Sequence, residues 1–406
     1  MLHARRDARV YISMRIGFFT LSMFSGGAER VAAQLSCLWT KLGHEVVLAT
    51  ALSPTDKDFE YSCVAREIVD YARLNQDGMA AFCAKHKLDA VVFNDGLGRD
   101  TFQMNFVAAK AVDGLKVFVI IHHTANNWMY GTGSTHELFM SELLSQADAV
   151  ICVDKIWALW WKYRGVRAVF IPNPVALVNN VKAGSVKLVK SVDEAVEALR
   201  GKKNLVWVGR LVDQLKRADL AIEIFAKLFE RNVGMNGVEP TLTLLGTKTS
   251  ESELTLRKQL RRLCPQAETN LHILGFVADV REVFAKSDAH LFTSATEVTV
   301  PQVVLEAKAC GVETVAFDMP FMRNVGQTVE PRQIEAKWRK LLAGEALDSD
   351  FETVDDYQNL MDELLNGQQF FVGRHLPDLL KFRRIRQRLN LGYLFSRAKV
   401  KLLRRR

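Results

Sequence analysis

Between residues 15 and 317, short apolar runs alternate with stretches whose apolar positions recur every three or four residues. The first kind reads as buried strands, the second as amphipathic helices. Residues 15–21 form the first run. Residues 28–42 follow with helical spacing at Val31, Leu35, Leu38 and Leu42; Gly43 ends that helix and 45–51 is the next strand. Ser25-Gly26-Gly27 stands between strand and helix. Taken alone it is a tight turn, but free N–H groups at a helix start also favour an anion or a closely approaching ligand. It is not G-x-G-x-x-G, so a dinucleotide fold of the NAD type is poorly supported. Further strands are predicted at 90–93, 117–121, 149–153 and 168–171, two of them giving way to Asn94-Asp95-Gly96 and His122-His123-Thr124. At a strand's carboxyl end, His123 is a candidate for chemistry and equally for a hydrogen bond to loop backbone.

Pro172-Asn173-Pro174 interrupts the pattern, and 176–203 reads as a polar, Lys-rich crossover with one helical segment at 192–199. The domain boundary is placed there. The alternation then restarts, with strands at 204–208, 241–245, 271–274, 290–293 and 313–317; Gly246 and Gly275 follow two of them. Alternation of this kind predicts an α/β protein of two Rossmann-like, doubly wound parallel-sheet domains facing a cleft. The first domain spans 14–175 and the second 204–350, with a helical extension over 351–406. Ligands of such sheets bind at the carboxyl ends of the strands. The richest such end is H-L-F-T-S-A-T-E-V-T-V-P-Q-V-V-L-E-A-K-A-C-G at 290–311, with a helix opening at Pro301. It carries Glu297 in the loop and Glu306 on a mostly apolar helix, where a carboxylate is rarely left without a partner.

Composition adds three points. With 49% hydrophobic and 25% charged residues the chain is that of a soluble globular protein, and 406 residues suit two domains. Six scattered cysteines (37, 63, 83, 152, 264 and 310), without C-x-x-C or histidines at metal spacing, favour reduced thiols over disulfides or zinc. Residues 1–13 have a basic start without an apolar core, so they are no secretion signal, and Met14 is a candidate start of the folded part. Charge is lopsided. Eleven of the 54 Lys and Arg lie after residue 378 with no acid among them, which leaves 43 against 46 acidic residues, about −3, for the rest. Leu379, Phe382, Ile385, Leu389 and Tyr393 would share one helix face in this tail, a composition suited to an anionic lipid surface rather than to nucleic acid.

Taken in order, F-S-G-G-A-E-R-V, I-H-H-T, I-P-N, V-G-R-L-V-D-Q-L-K and S-x-x-E…P-x-x-x-L-E-A-x-A-x-G resemble the GT-B glycosyltransferases, and within them glycosyltransferase family 4. The resemblance covers about residues 14–318. It implies that Arg210 and Lys216 grip the donor diphosphate, whose developing charge needs cations where no metal supplies them. It implies that Glu306 accepts hydrogen bonds from the ribose, that Phe276 and Val277 meet the base, and that Gly26 and Gly27 approach donor and acceptor. His123 and Glu297 are implied at the reacting centre. There are departures. The family spacing is usually E-x7-E, whereas eight residues separate Glu297 from Glu306, and Val298 holds the strict register. Pro174 stands where Gly is common, and M-P-F-M-R-N replaces a Gly-Gly-x-x-Glu segment after Asp318.

The expected function is transfer of a sugar from a nucleoside diphosphate sugar to a glycan or lipid-linked acceptor, as in polysaccharide or lipopolysaccharide biosynthesis. The resemblance implies retention of configuration and no metal or other cofactor. The expected location is cytoplasmic, peripheral at the inner face of the membrane. Two other readings stay open: a catalytically silent nucleotide-sugar-binding or scaffold subunit, and an epimerase or hydrolase of the same fold.

Overall fold

The structure is a computed structural model that describes residues 13–20, 27–50, 65–68, 76–94, 100–122, 134–174 and 184–347, with gaps at 213, 237–238, 278, 296, 298–300, 319–321, 323–330 and 346. Gly26, His123 and the basic tail lie outside the described residues.

The first domain is a seven-stranded parallel sheet. In chain order its strands are β1 (Arg15–Thr20), β2 (Glu45–Thr50), β3 (Ala65–Ile68), β4 (Ala90–Phe93), β5 (Lys116–Ile121), β6 (Ala149–Cys152) and β7 (Ala168–Phe170). They lie in the order β3-β2-β1-β4-β5-β6-β7. The central runs are buried on both faces, which is why they read as continuous apolar stretches rather than as alternation. The second sheet has β8 (Val186–Val189), β9 (Asn204–Val208), β10 (Thr241–Leu245), β11 (Leu271–Leu274), β12 (Ala289–Phe292) and β13 (Glu313–Phe317), in the order β11-β10-β9-β12-β13-β8. The order reverses between β1 and β4 in the first sheet and between β9 and β12 in the second, where β8 is added beyond β13 at the edge. A ligand crevice is expected outside the carboxyl ends at such a point.

Three expectations are corrected. Residues 176–203 are not only a crossover: β8 pairs with β13, and Val189, Ala195, Val196 and Leu199 join the second domain's core. An edge strand needs little apolar surface, and Val-Lys-Leu-Val with two exposed positions gave no strand signal. At the other end, the helix Pro331–Leu342 leaves the second domain and packs on the first. Its Ile334, Trp338, Leu341 and Leu342 are buried with Ile16, Phe18, Val31 and Trp39, and the rings of Trp39 and Trp338 meet edge to face at 4.9 Å. The thiols are the third. Cys83, Cys152, Cys264 and Cys310 are free, but Cys37 is disulfide-bonded. Sequence spacing carries no information on which cysteines approach in space. Among the described residues no helix is long and apolar enough to cross a membrane.

The domains meet along two helices. α1 (Gly27–Lys41) follows β1, and the helix Gln302–Ala309 follows β12. Arg30 pairs with Glu306, and Gln302 Nε2 donates to Gln34 Oε1 at 3.1 Å and to the Pro174 carbonyl at 3.2 Å.

Candidate active site

On the second domain the site begins where β9, β10 and β11 end. Their turns are laced by backbone hydrogen bonds: Gly209 N to Leu245 O at 2.9 Å, Leu211 N to Thr247 O at 2.9 Å, and Gly246 N to Gly275 O at 3.1 Å. Gly246 has φ +132°, and a Cβ there would collide with the Gly209 carbonyl, so the two turns can approach only through glycine. Beyond Gly209 the chain passes through a 3-10 turn, Gln214–Lys216, held by residues just past β12. The Thr293 hydroxyl accepts from Trp207 Nε1 at 2.8 Å and lies 3.1 and 2.8 Å from the Lys216 and Arg217 carbonyls, to which it donates. Ala295 N donates to Leu215 O at 2.8 Å. Arg217 takes a left-handed φ of +53°, and its guanidinium grips Asp219 with two parallel bonds. These contacts fix the turn that carries Lys216.

There Lys216 forms an ion pair with Glu297, whose Oε1 also accepts from Ser294 Oγ at 2.7 Å. The extra residue between the two glutamates has not moved Glu297 away from the lysine. Arg210 lies exposed on the same loop, and Phe276 and Val277 are half-buried after β11. Lys216, Glu297 and Arg210 thus sit on two loops joined by hydrogen bonds at the switch point. Two cations there match the charge of a diphosphate.

Glu306 is buried on the Gln302–Ala309 helix. Burial pushes its carboxyl up from the ordinary range; Arg30 and then Arg281 oppose that, and Asp279 adds to it. Asp279 and Arg281 are themselves joined by two hydrogen bonds, 2.8 and 2.6 Å, which hold the Asp279 carboxyl low. Glu306 is therefore set among alternating charges supplied by both domains.

On the first domain, Gly27 opens α1, exposed. Behind it lies a buried asparagine. Asn94 Nδ2 donates to Ala28 O at 3.1 Å, and its backbone N–H to Phe19 O at 2.8 Å. With Nδ2 so used, Oδ1 faces His122 Nε2 at 2.9 Å and assigns that nitrogen the proton. Asn94 thereby ties the ends of β1, β4 and β5 to the start of α1. Sequence reasoning had not assigned roles to Arg30, Asn94 and His122. Arg30 had a signal, because a cation in a helix's first turn is unfavourable unless an anion sits beside it. His290, at the start of the 290–311 stretch, is not at the site. It is wholly buried between Phe284 and Phe292, with Nδ1 3.2 Å from the Thr314 hydroxyl, and burial drives its pKa down to about 3.

A family profile described as glycosyl transferases group 1 matches residues 202–344. The matched segment contains β9 to β13, Arg210, Lys216, Glu297 and Glu306. No curated protein gives a match. Solved structures resemble nearly the whole chain. Anabaena HepE in complex with UDP is 17% identical with a TM-score of 0.56, covering 88% of this chain and 96% of HepE. A glycosyltransferase from Rickettsia africae is 14% identical, TM-score 0.54, over 92% and 97%. WaaG, a glycosyltransferase involved in lipopolysaccharide biosynthesis, is 16% identical, TM-score 0.52, over 86% and 95%. The fold is accordingly GT-B: two parallel α/β domains, with the matched segment lying mostly in the second.

Proposed function

We propose that the chain moves a sugar from a nucleoside diphosphate sugar to an acceptor, with retention of anomeric configuration and without a metal. The observation that carries this reading is the pairing of Lys216 with Glu297 at the β9/β12 switch point, inside the matched segment. The Glu297 carboxylate lies beside the lysine as an anion. A donor diphosphate would take that place, with Arg210 as the second cation. Glu306 would accept from the ribose hydroxyls, and Phe276 and Val277 would border the base. Glu297, released from Lys216, would face the sugar, with Gly26, Gly27 and His123 assigned to the reacting centre by the family resemblance alone. The bond from the anomeric carbon to the diphosphate breaks as the acceptor oxygen attacks from the same face. The acceptor proton passes to the departing phosphate oxygen, so no protein nucleophile is assigned.

HepE bound to UDP and to UDP-glucose makes UDP-sugars the first donors to try. A lipid-linked or glycan acceptor fits the basic, apolar tail and the likeness to WaaG. The tail would hold the enzyme on the anionic inner face of the cytoplasmic membrane. The test is incubation with labelled UDP-, GDP- and ADP-sugars, with and without a membrane extract. Acceptor-dependent release of the nucleoside diphosphate, with NMR showing retention in the product, is expected. Donor turnover without acceptor would favour an epimerase or hydrolase. Binding without turnover under any acceptor would favour a silent subunit.

A further inference from the structure

Two side chains of α1 meet two of the Gln302–Ala309 helix in a regular way. Arg30 faces Glu306 and, four residues on, Gln34 faces Gln302, four residues back. The partners run in opposite order, as they do on antiparallel helices, and residues four apart share one face. The two contacts are therefore rungs of one interface between the domains, and Gln302 also fastens it to the Pro174 carbonyl. The Arg30 side chain is 17% exposed and that of Glu306 8%. Arg30 reaches Oε1 of Glu306, and among the described residues no hydrogen bond is made to Oε2.

We propose that Arg30 is a positioning residue of the donor site: from the first domain it holds one oxygen of Glu306 and leaves the other for the ribose diol. This rests on the reading of Glu306 given above. A buried carboxyl without a cation would take up a proton and lose capacity to accept from two hydroxyls. The groups facing Glu306 are Arg30 from α1, Arg281 and Asp279 from the segment after β11, and Cys310 from its own helix. Arg281 is already joined to Asp279 by two hydrogen bonds, which leaves Arg30 as the cation bonded to Glu306. Because Arg30 belongs to the other domain, recognition of a ribonucleotide depends on the domains being closed along these helices.

The test measures diol preference: the affinity ratio between a ribonucleoside diphosphate and its 2′,3′-dideoxy counterpart. The pair is taken from whichever of UDP, GDP, ADP and CDP binds tightest. Phosphate titration is common to both ligands and cancels in the ratio. In the wild type the preference is expected to persist as pH falls from 8 until Glu306 protonates, then to drop by about tenfold per pH unit. In Arg30→Gln that drop should begin at a higher pH, and Arg30→Lys should restore most of the difference. Arg30→Ala, which leaves room for water, replaces the glutamine variant should that one not fold. Glu306→Gln should show no diol preference at any pH. An unshifted midpoint in Arg30→Gln overturns the proposal and leaves the reading of Glu306 standing. A preserved diol preference in Glu306→Gln, or no binding of any of the four diphosphates, overturns that reading and the proposal with it.

Discussion

At the scale of single residues the site is made of charges that already have partners. Lys216 is paired with Glu297, so on the proposed reading a donor diphosphate would displace a carboxylate to reach it. Lys216→Ala and Arg210→Ala should each weaken nucleoside diphosphate binding by about 1.5–3 kcal/mol, one to two decades, in calorimetry. Glu297→Gln should do the opposite. With the competing charge gone, binding should be unchanged or up to about tenfold tighter while transfer falls, since a pair of this exposure contributes on the order of 1 kcal/mol. Loss of binding in Glu297→Gln would contradict this arrangement. His290 supplies an independent check on burial. Its pKa is about 3 in the folded chain and 6.5 when unfolded, so the unfolded state binds the extra proton. Its contribution to stability is complete above pH 6.5 and is lost progressively as pH falls toward 3. Urea unfolding should show the wild type losing about 2 kcal/mol more than His290→Leu between pH 6.5 and 5. Parallel curves would mean that His290 titrates normally.

At the scale of elements, the site depends on how one strand end grips the loop of another. The Thr293 hydroxyl is the junction: it is shared among Trp207 Nε1 and the carbonyls of Lys216 and Arg217. Thr293→Val keeps the shape and leaves a buried indole N–H and the turn carbonyls without this partner, at about 1–3 kcal/mol for each unsatisfied group. The 3-10 turn should loosen, and nucleoside diphosphate affinity should fall although no substituted atom touches the ligand. Unaltered affinity at reduced stability would separate the junction from the site. The same junction explains why Glu297 lies beside Lys216 with eight residues between it and Glu306. Ala295 and Ser294 anchor the loop to Leu215, and Glu297 is placed from that anchor rather than from the helix that follows.

At the scale of the whole molecule, the chain crosses between domains twice, once after Pro174 and again before Pro331. The second crossing is fastened by Trp338, which is 1% exposed against Trp39, and by Lys116 Nζ on the Leu342 carbonyl at 3.2 Å. Trp338→Ala should cost about 3–5 kcal/mol and destabilise the first sheet although the residue follows the second in sequence. Hydrogen exchange of β1 and β5 would show it, and unchanged protection there would contradict the packing. On the proposed membrane reading, removing residues 379–406 should abolish salt-sensitive flotation with anionic vesicles, since each cation contributes up to ~1 kcal/mol at such a surface. Flotation that survives the truncation, or ignores lipid charge, would sink that reading.

The sequence alone determined the parallel two-domain plan and most of its strands, because a strand buried on both faces must be written as an apolar run. β4, β9, β10, β11 and β13 lie where those runs do. It also determined which residues line the strand ends of the second domain, since loops there are short and tied to the strands. Only the tertiary structure decided what is paired with what. The edge strand β8 buries too little to leave a pattern, and the return of the Pro331–Leu342 helix rests on complementarity with Trp39, 299 positions away by residue number. The contact between Arg30 and Glu306 is of the same kind, a charge pair between two domains that local spacing cannot encode. Periodicity records how much of an element is buried; it does not record against which neighbour.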